Sequence, residues 1–162
     1  MESRTSGQAV KRHATYPTEE ERQQLIGLLH AEACSCVIAN GGTTRICRER
    51  GLKDLYRLLT EEPELLDGAF VADKVVGKGA AALMILGGVT GLHADVISRP
   101  ALELLDTSPV RVNYTLEVPR IVNRTRTGLC PVETLCRDCT DAAEALPLIR
   151  RFLEEQSRNA NR

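Results

Sequence analysis

The sequence predicts an α/β protein of three layers, in which helices cover both faces of a β-sheet. Three observations predict this fold class. Short apolar segments typical of strands alternate with helical segments along most of the chain. An Asn40-Gly41-Gly42 turn joins the first two strands, as in a β-hairpin. The length of 162 residues is typical of one domain, and the sequence contains no internal repeat.

The composition is that of a globular protein with no strong electrostatic preference. Hydrophobic residues make up 43% of the chain and charged residues 27%, which is ordinary for such proteins. A formal net charge of -1 gives no general reason to expect binding to nucleic acid or to an anionic membrane. Only 3% of the residues are aromatic, which argues against a base-stacking surface. We therefore expect a small-molecule ligand, with no nucleic acid and no membrane as partner.

The N-terminal sequence and the cysteines indicate a cytoplasmic protein. Residues 1–17 are polar and aperiodic, so we expect a flexible tail rather than a secretory signal. The longest apolar segment, Gly79–Val89, is too short to span a bilayer. In a cytoplasmic protein, the six cysteines are expected to be reduced thiols or metal ligands rather than disulfides.

The first half of the chain is predicted to form a helix, a hairpin and a second helix. Thr18 and Glu21 fit a capping box, which opens a helix that runs to about Ala33. The segments CSCVIA and TTRIC fit the two strands of the hairpin. The helix LKDLYRLLTEE follows, and Pro63 ends it.

The second half is predicted to alternate strands with helices. GAFVAD, TGLHADVI and VRVNYTLEV fit strands. Asp73 is predicted to cap the apolar helix KVVGKGAAALMIL, and Ser98 to cap the helix RPALELL. A short helix is expected within TGLCPVETL. Asp141 and Glu144 open the last helix, in which Pro147 should produce a kink or delay the start.

Two motifs resemble those of a known family. They are Asp73-Lys74-Val75-Val76-Gly77-Lys78 and NRTRTGLCPVE, residues 123–133, and their order and spacing resemble the domain of unknown function 1893 family. The resemblance covers the chain from about Cys34 to its end. It implies a cytidine-deaminase-like fold with a mixed sheet, in which residues 18–162 form one deaminase-like domain with an added N-terminal helix. It implies no activity, because the family is uncharacterised.

The segment LLHAEACSC raises the question of a zinc site, because His-x-Glu is half of the zinc deaminase motif. A deaminase-like fold would place that motif at the helix beginning Asp73-Lys74, which has no His. The second half, Pro-Cys-x-x-Cys, would fall at Pro100, where Ala101 and Leu104 replace the two thiolates. His30 belongs to the first predicted helix instead. We therefore expect no zinc deaminase site, no metal and no cofactor.

Lys74 and Lys78 are predicted to hold an anion. They are two of only four lysines and would lie one turn apart at the start of the predicted helix. The free N–H groups and the dipole of a helix start attract anions, and Gly77 would belong to the same ligand site. The alternative is a capped core helix, in which Gly77 and Gly79 allow close packing.

Cys130 is the predicted reactive group of this site. Pro131 fits the first position of a helix, which makes Cys130 the N-cap, where the helix dipole favours the thiolate. Glu133 could act as general base or could only cap the Cys130 N–H, and Asp73 is the second candidate for proton transfer. The alternative is a turn with an inert, half-buried thiol. The remaining predicted ligand-binding residues are Asn123, Thr127 and Gly128.

The other cysteines allow two interpretations. Cys34 and Cys36 are two residues apart and point to one face of a strand. A four-residue hairpin loop would place Cys36 opposite Cys47, whereas a three-residue loop would place Ser35 there. Core packing is the preferred interpretation, because free Cys packs as a small hydrophobe. Metal binding by this group is the alternative. A separate alternative is a zinc site assembled by folding from the His30-Ala31-Glu32 motif with Cys136 and Cys139.

Three functions stay open. The first is a pocket between the start of the predicted Asp73–Leu86 helix and the turn at residues 123–133. It would bind an anionic, nucleotide-like molecule, either as a binding protein or as a non-zinc enzyme. The second is a metal-binding or redox-sensing module built on the thiols. The third is a non-catalytic regulatory or interaction domain, and a homo-oligomer is also considered.

Overall fold

The computed structural model describes residues 16–49, 52–122 and 130–160, which form five strands and seven helices. The strands are β1 (Cys36–Asn40), β2 (Thr43–Cys47), β3 (Phe70–Val76), β4 (Gly91–Ser98) and β5 (Arg111–Val118). The helices are α1 (Glu19–Ala31), α2 (Lys53–Glu61), α3 (Pro63–Leu66), α4 (Lys78–Gly87), α5 (Arg99–Leu105), α6 (Pro131–Leu135) and α7 (Ala142–Ala160). The predicted tail lies mainly outside the described residues.

The five strands form one mixed sheet in the order β2-β1-β3-β4-β5. β1 pairs antiparallel with both β2 and β3, whereas β3, β4 and β5 are parallel. α4 connects β3 to β4 and α5 connects β4 to β5, as parallel neighbours require a crossover. The predicted α/β/α fold with a mixed sheet is confirmed.

The hairpin turn has two residues, Gly41 and Gly42, both with positive φ. Tight two-residue turns that match the twist of the strands require positive φ at both central positions. Glycine adopts positive φ without steric cost. The resulting register pairs Asn40 with Thr43 and Cys36 with Cys47. The pairing of the two cysteines is the one predicted for a four-residue loop, although the loop itself has only two residues, because Asn40 and Thr43 form one further pair.

The two faces of the sheet differ in how they are covered. One face, here called the helix-rich face, packs against α2 to α7 through a large apolar core that includes Val71 and Leu92. The opposite face, here called the α1 face, packs against α1 through a smaller core that includes Leu29, Phe70 and Ala72. Alternate residues of a strand point to opposite faces, so the two cores share the same strands.

The start of the helix α4 corrects one prediction. Asp73 does not cap α4, because β3 continues to Val76 and Gly77 is the N-cap. Asp73 pairs with Cys36 of β1 and with Ala94 of β4, so two neighbouring strands hold it in an extended conformation. This pairing outweighs the capping propensity of an Asp side chain.

Other predicted boundaries are confirmed or shifted slightly. Thr18 and Glu21 form the complete capping box, although α1 ends at Ala31. Pro63 ends α2 and also begins the short helix α3. Pro147 lies inside α7, whose first turn is capped by Asp141, so this proline does not delay the helix start. Within the described ranges, no helix is long and apolar enough to cross a membrane.

Candidate functional site

The predicted site lies at the carboxyl ends of β3 and β4, and its centre is the buried carboxylate of Glu133. Oε2 of Glu133 accepts hydrogen bonds from the Lys78 N–H at 2.7 Å and from the Ser98 hydroxyl at 3.3 Å. Oε1 accepts from the Ile121 N–H at 3.0 Å. A side chain of the protein itself therefore occupies the anion position at the start of α4. We call this group of residues the strand-end site: Gly77, Lys78, Ser98, Ile121, Glu133.

The Lys78 ammonium is also satisfied within the protein. The residue is 8% exposed, and its Nζ donates to the backbone carbonyls of Arg137 at 3.0 Å and Cys139 at 2.6 Å. Lys78 thus joins the start of α4 to the turn after α6. The glycine before it has little room, because a Cβ on Gly77 would lie 3.0 Å from Oε2 of Glu133. These contacts favour the close-packing alternative over an open anion site.

Lys74 does not share a site with Lys78, so the predicted pair of lysines is wrong. Lys74 lies in β3 and Lys78 in the first turn of α4. By strand alternation, Lys74 follows Phe70 and Ala72 on the α1 face. Its positive charge acts there on the thiol of Cys34, whose pKa is nonetheless raised by burial. The two ammonium groups therefore serve opposite faces of the sheet.

Cys130 has the position that the sequence predicts. It is the N-cap of α6, with Pro131 at the first helical position. Its N–H donates to the carbonyl of Ile121 at 2.9 Å, so the predicted alternative of a cap by Glu133 is wrong. The thiol is half-buried and packs against the core of the helix-rich face. A reactive role for Cys130 stays a prediction. Three of the predicted ligand-binding residues lie outside the described residues: Asn123, Thr127 and Gly128.

Asp73 is a buried carboxyl group within β3 rather than at the start of α4. Oδ1 accepts a hydrogen bond from the Val75 N–H at 3.1 Å. Burial raises the pKa of Asp73 to about 7, and the nearby charge of Asp95 contributes in the same direction. Asp73 is therefore able to hold a proton near neutral pH. Its role in catalysis stays a prediction.

A cavity of about 430 Å³ lies on the α1 face, between α1 and the strands β4 and β5. We call it the α1 cavity. Its wall combines charged, amide, hydroxyl, imidazole and apolar groups. The lining residues from α1 are Glu19, Arg22, Gln23, Ile26 and His30. Those from the strands are Phe70, His93, Asn113, Tyr114 and Thr115.

Two histidines of this wall meet at one carboxylate. Nε2 of His30 lies 2.9 Å from Oδ2 of Asp95, and Nε2 of His93 lies 3.1 Å from Oδ1 of the same residue. A carboxylate only accepts, so each imidazole donates its Nε2 proton. The side chain of His30 is 54% exposed and that of His93 is 13% exposed. Asp95 thus joins α1 to β4 and orients both rings at the cavity.

This cluster was not predicted from the sequence. His30 was considered only as part of the first predicted helix and as a candidate for the metal alternative, and His93 was not predicted as a site residue. A local signal does exist, since His93 and Asp95 are two residues apart on a strand and share one face. His30 is 65 residues from Asp95, and only packing of α1 against the sheet brings them together.

The burial of the thiols supports core packing, which is the interpretation preferred from the sequence. All six cysteines are free, and four of them are buried: Cys34, Cys36, Cys47 and Cys136. A hydrogen bond with Cys47 and burial raise the pKa of Cys36, and burial raises the pKa of Cys136 to about 12.

The predicted zinc alternative is wrong, because its ligands lie on opposite faces. Cys136 packs in the core of the helix-rich face, whereas His30 contacts Asp95 across the α1 face. The described residues contain no group of three or more His, Cys, Asp or Glu side chains arranged to hold a metal ion.

Comparison with known proteins agrees with the resemblance in the two motifs. The sequence model of a domain of unknown function (DUF1893) matches residues 24–153. The crystal structure of a DUF1893 family protein from Thermotoga maritima, at 2.70 Å resolution, superposes with a TM-score of 0.76. The two chains are 26% identical, and the match covers 88% of this chain and 95% of the other. No curated protein matches the sequence.

Proposed function

The chain belongs to the DUF1893 family, whose members have no established activity, and we propose that it binds a small polar molecule in the α1 cavity. The observation that carries the proposal is that His30 and His93, which both line that cavity, are bonded to the same carboxylate of Asp95. Convergent polar groups in a concave site of a few hundred Å³ are typical of ligand sites.

We prefer the α1 cavity to the strand-end site because of what the polar groups already bind. Glu133 accepts three hydrogen bonds and Lys78 donates two, all within the protein. A ligand at the strand-end site would have to replace these bonds. The imidazoles of the α1 cavity each use Nε2 on Asp95, and a ligand could use the second ring nitrogen.

The charges around the α1 cavity favour a neutral ligand over an anion. Glu19 and Arg22 form an ion pair with 2.5 Å between Oε1 and Nη2, and Arg22 also donates to the carbonyl of Pro17. No arginine or lysine is left unpaired among the lining residues that we describe. The donors and acceptors at the wall suit a molecule of nucleoside size. We therefore propose an uncharged, nucleoside-like ligand in place of the anionic, nucleotide-like ligand expected from the sequence.

We also propose that the fold is cytidine-deaminase-like without deaminase chemistry. Support comes from α4, the buried central helix after the first strands, which begins with Lys78 where a zinc deaminase has His. Ala101 and Leu104 are both buried and apolar. A cytoplasmic location is part of the proposal, because six free thiols suit a reducing compartment.

The test is a nuclear magnetic resonance titration of the isotope-labelled full chain. Common ribonucleosides are the neutral probes, and inorganic phosphate and nucleoside monophosphates are the anionic probes. We expect a nucleoside to shift amide signals of α1 and of Asn113–Thr115. The Asp95→Asn variant should bind the same probe roughly tenfold more weakly, because the orientation of both imidazoles is lost.

The matched control is Asp106→Asn, which makes the same change at an exposed position on the end of α5. It should bind like wild type. Shifts centred on Lys78 and Cys130, or binding only of the anionic probes, would instead support the site predicted at the strand ends. Consumption of a probe during the titration would show that the protein is an enzyme.

A further inference from the structure

Two pairs of cysteines in the described residues have thiols that hydrogen-bond to each other. Cys36 of β1 lies opposite Cys47 of β2, and their thiols form the first pair. Cys136 and Cys139 form the second pair, in a turn that follows α6. The two pairs have similar contacts between their sulfur atoms, so they are compared here by their access to solvent.

The two pairs differ in exposure. Cys36 and Cys47 are each 3% exposed, so neither thiol is open to a reagent in solution. Cys136 is 0% exposed, whereas Cys139 is partly exposed. A reagent in solution therefore has access to the second pair through Cys139 alone.

The turn after α6 holds Cys136 and Cys139 at a separation that suits a disulfide. The N–H of Cys139 donates to the carbonyl of Cys136 at 3.0 Å, which closes a turn of four residues. The first and last Cα atoms of such a turn lie within about 7 Å, and a disulfide spans about 4.4–6.8 Å. A disulfide can therefore form here while the protein stays folded. We call residues 136–139 the dithiol turn.

Cys130 is the other partly exposed thiol, and it is too far from Cys136 to take the place of Cys139. Cys130 and Cys136 are the N-cap and the C-cap of α6, at its opposite ends. A rise of about 1.5 Å per residue separates their Cα atoms by roughly 9 Å along the helix axis. This distance exceeds the span of a disulfide. Cys139 is therefore the accessible partner of Cys136.

The surroundings of the dithiol turn make Cys139 the first thiol to react. Burial raises the pKa of both thiols, that of Cys136 to about 12. The positive charge of Lys78 opposes this effect on both thiols, and the hydrogen bond between the thiols lowers only the pKa of Cys139. Cys139 is thus both the more accessible thiol and the more easily ionised one, and the thiolate is the nucleophile.

Neither burial nor the helix dipole favours the reduced thiolate over a disulfide at this turn. A thiolate at Cys136 would place a charge in the apolar core, whereas a disulfide is uncharged. Reactive thiols with a lowered pKa often lie at a helix N-terminus, where the dipole stabilises the thiolate. The dithiol turn follows the C-terminus of α6 instead, where the dipole has the opposite sign.

We propose that the dithiol turn is a site of oxidation, at which a small-molecule disulfide converts the two thiols into a disulfide between Cys136 and Cys139. The sulfur of Cys139 first attacks one sulfur of the small disulfide. This step forms a mixed disulfide and releases one small thiol, which takes the proton of Cys139. Cys136 then attacks Sγ of Cys139, and the second small thiol leaves with the proton of Cys136.

The reaction is balanced and does not depend on ligand binding in the α1 cavity. Two electrons and two protons pass from the protein dithiol to the small disulfide, which becomes two thiols. The product lies next to the strand-end site, because the Lys78 ammonium donates to the carbonyls of Arg137 and Cys139 in the dithiol turn. The proposal thus adds a modification site on the helix-rich face.

The test treats the folded full chain with oxidised glutathione, blocks the remaining thiols with iodoacetamide and digests the protein with trypsin. Trypsin cleaves after Arg137, which lies between the two cysteines, so the two fragments stay together only if a disulfide joins them. Mass spectrometry should find the fragments of Cys136 and Cys139 joined, and dithiothreitol should separate them. Cys36 and Cys47 are the internal control and should remain reduced.

Three variants test the order of the two steps. Cys136→Ser should stop at the mixed disulfide of Cys139 with glutathione, because the second thiol is missing. Cys139→Ser should lose both products, because Cys136 is buried. Cys34→Ser is the matched control on the α1 face, where the new hydroxyl can donate to the Leu29 carbonyl as the thiol does. It should form the disulfide like wild type.

Three outcomes would overturn the proposal. The first is the absence of joined fragments in wild type at an excess of oxidised glutathione. The second is equal oxidation of Cys36 and Cys47, because exposure would then not select the dithiol turn. The third is addition of glutathione to Cys136 in Cys139→Ser protein that is folded by circular dichroism.

Discussion

The strand-end site and the α1 cavity contain similar kinds of polar group and use them differently. At the strand-end site, Glu133 and Lys78 are both less than 10% exposed and bind backbone groups of the protein. At the α1 cavity, His30 and Asp95 bind each other but remain partly open to solvent. Buried groups that are fully bonded stabilise the fold, whereas exposed groups that are oriented by a neighbour can also bind a ligand.

The largest effect expected from this difference is at Glu133. Glu133→Ala should lower the free energy of unfolding by about 4–5 kcal/mol, because it leaves two buried donors and one partly buried donor without an acceptor. Glu133→Gln should cost less, since the amide keeps one acceptor oxygen. Urea denaturation followed by circular dichroism measures both.

The matched control is Glu64→Ala, which removes an exposed carboxylate at the start of α3. Its free energy of unfolding should stay within about 0.5 kcal/mol of wild type. If Glu133→Ala lowers the free energy of unfolding no more than this control does, the hydrogen bonds of the Glu133 carboxylate do not stabilise the start of α4. The strand-end site would then be open to a ligand.

The second prediction concerns pH and the buried carboxyl group of Asp73. Its pKa of about 7 in the folded protein exceeds its ordinary value of 3.8. Between these pH values the folded state holds a proton on Asp73 that the unfolded state has lost. The contribution of this proton to the free energy of unfolding is therefore full below pH 3.8 and is lost as the pH rises through 7. Asp73→Asn should remove this dependence, which amounts to roughly 3–4 kcal/mol between pH 4 and pH 8.

Urea denaturation of wild type and of Asp73→Asn at several pH values gives the free energy of unfolding of each protein as a function of pH. Asp106→Asn, at an exposed carboxyl group, should give a curve parallel to that of wild type. An Asp73→Asn curve that also runs parallel to wild type would mean that Asp73 is ionised in the folded state, as in an open site.

The local elements were predictable because their signals lie within a few residues. The capping box at Thr18, the cap at Ser98 and the helix start at Pro131 each depend on side chains within one turn. The hairpin itself was predicted from its turn residues, whereas its register was left open between two alternatives until the structure showed Cys36 opposite Cys47. These features do not require knowledge of the tertiary fold.

The site was less predictable because its contacts are distant in sequence. Glu133 reaches the start of α4 across 55 residues, and His30 reaches Asp95 across 65. The end of β3 was misjudged for the same reason, since pairing with β1 and β4 overrides the local signal of Asp73. Local chemistry identified Glu133 as important, but not the group to which it binds.

The smallest predicted effect compares how tightly the two faces are packed, through one glycine on each. Gly79 lies in α4, and a Cβ there would approach Cγ1 of Val132 to 2.5 Å. Gly79→Ala should therefore lower the free energy of unfolding by roughly 1–3 kcal/mol, because the stiff, buried valine must move.

Gly27→Ala in α1 is the matched substitution on the other face. No atom lies within 4 Å of its added Cβ, so only the helix propensity of alanine acts. It should raise the free energy of unfolding by roughly 0.5–1 kcal/mol. Opposite signs in urea denaturation would support close packing around Gly79 and an exposed, unpacked position at Gly27. A loss of stability in Gly27→Ala would instead mean that a further group packs on α1 at this position.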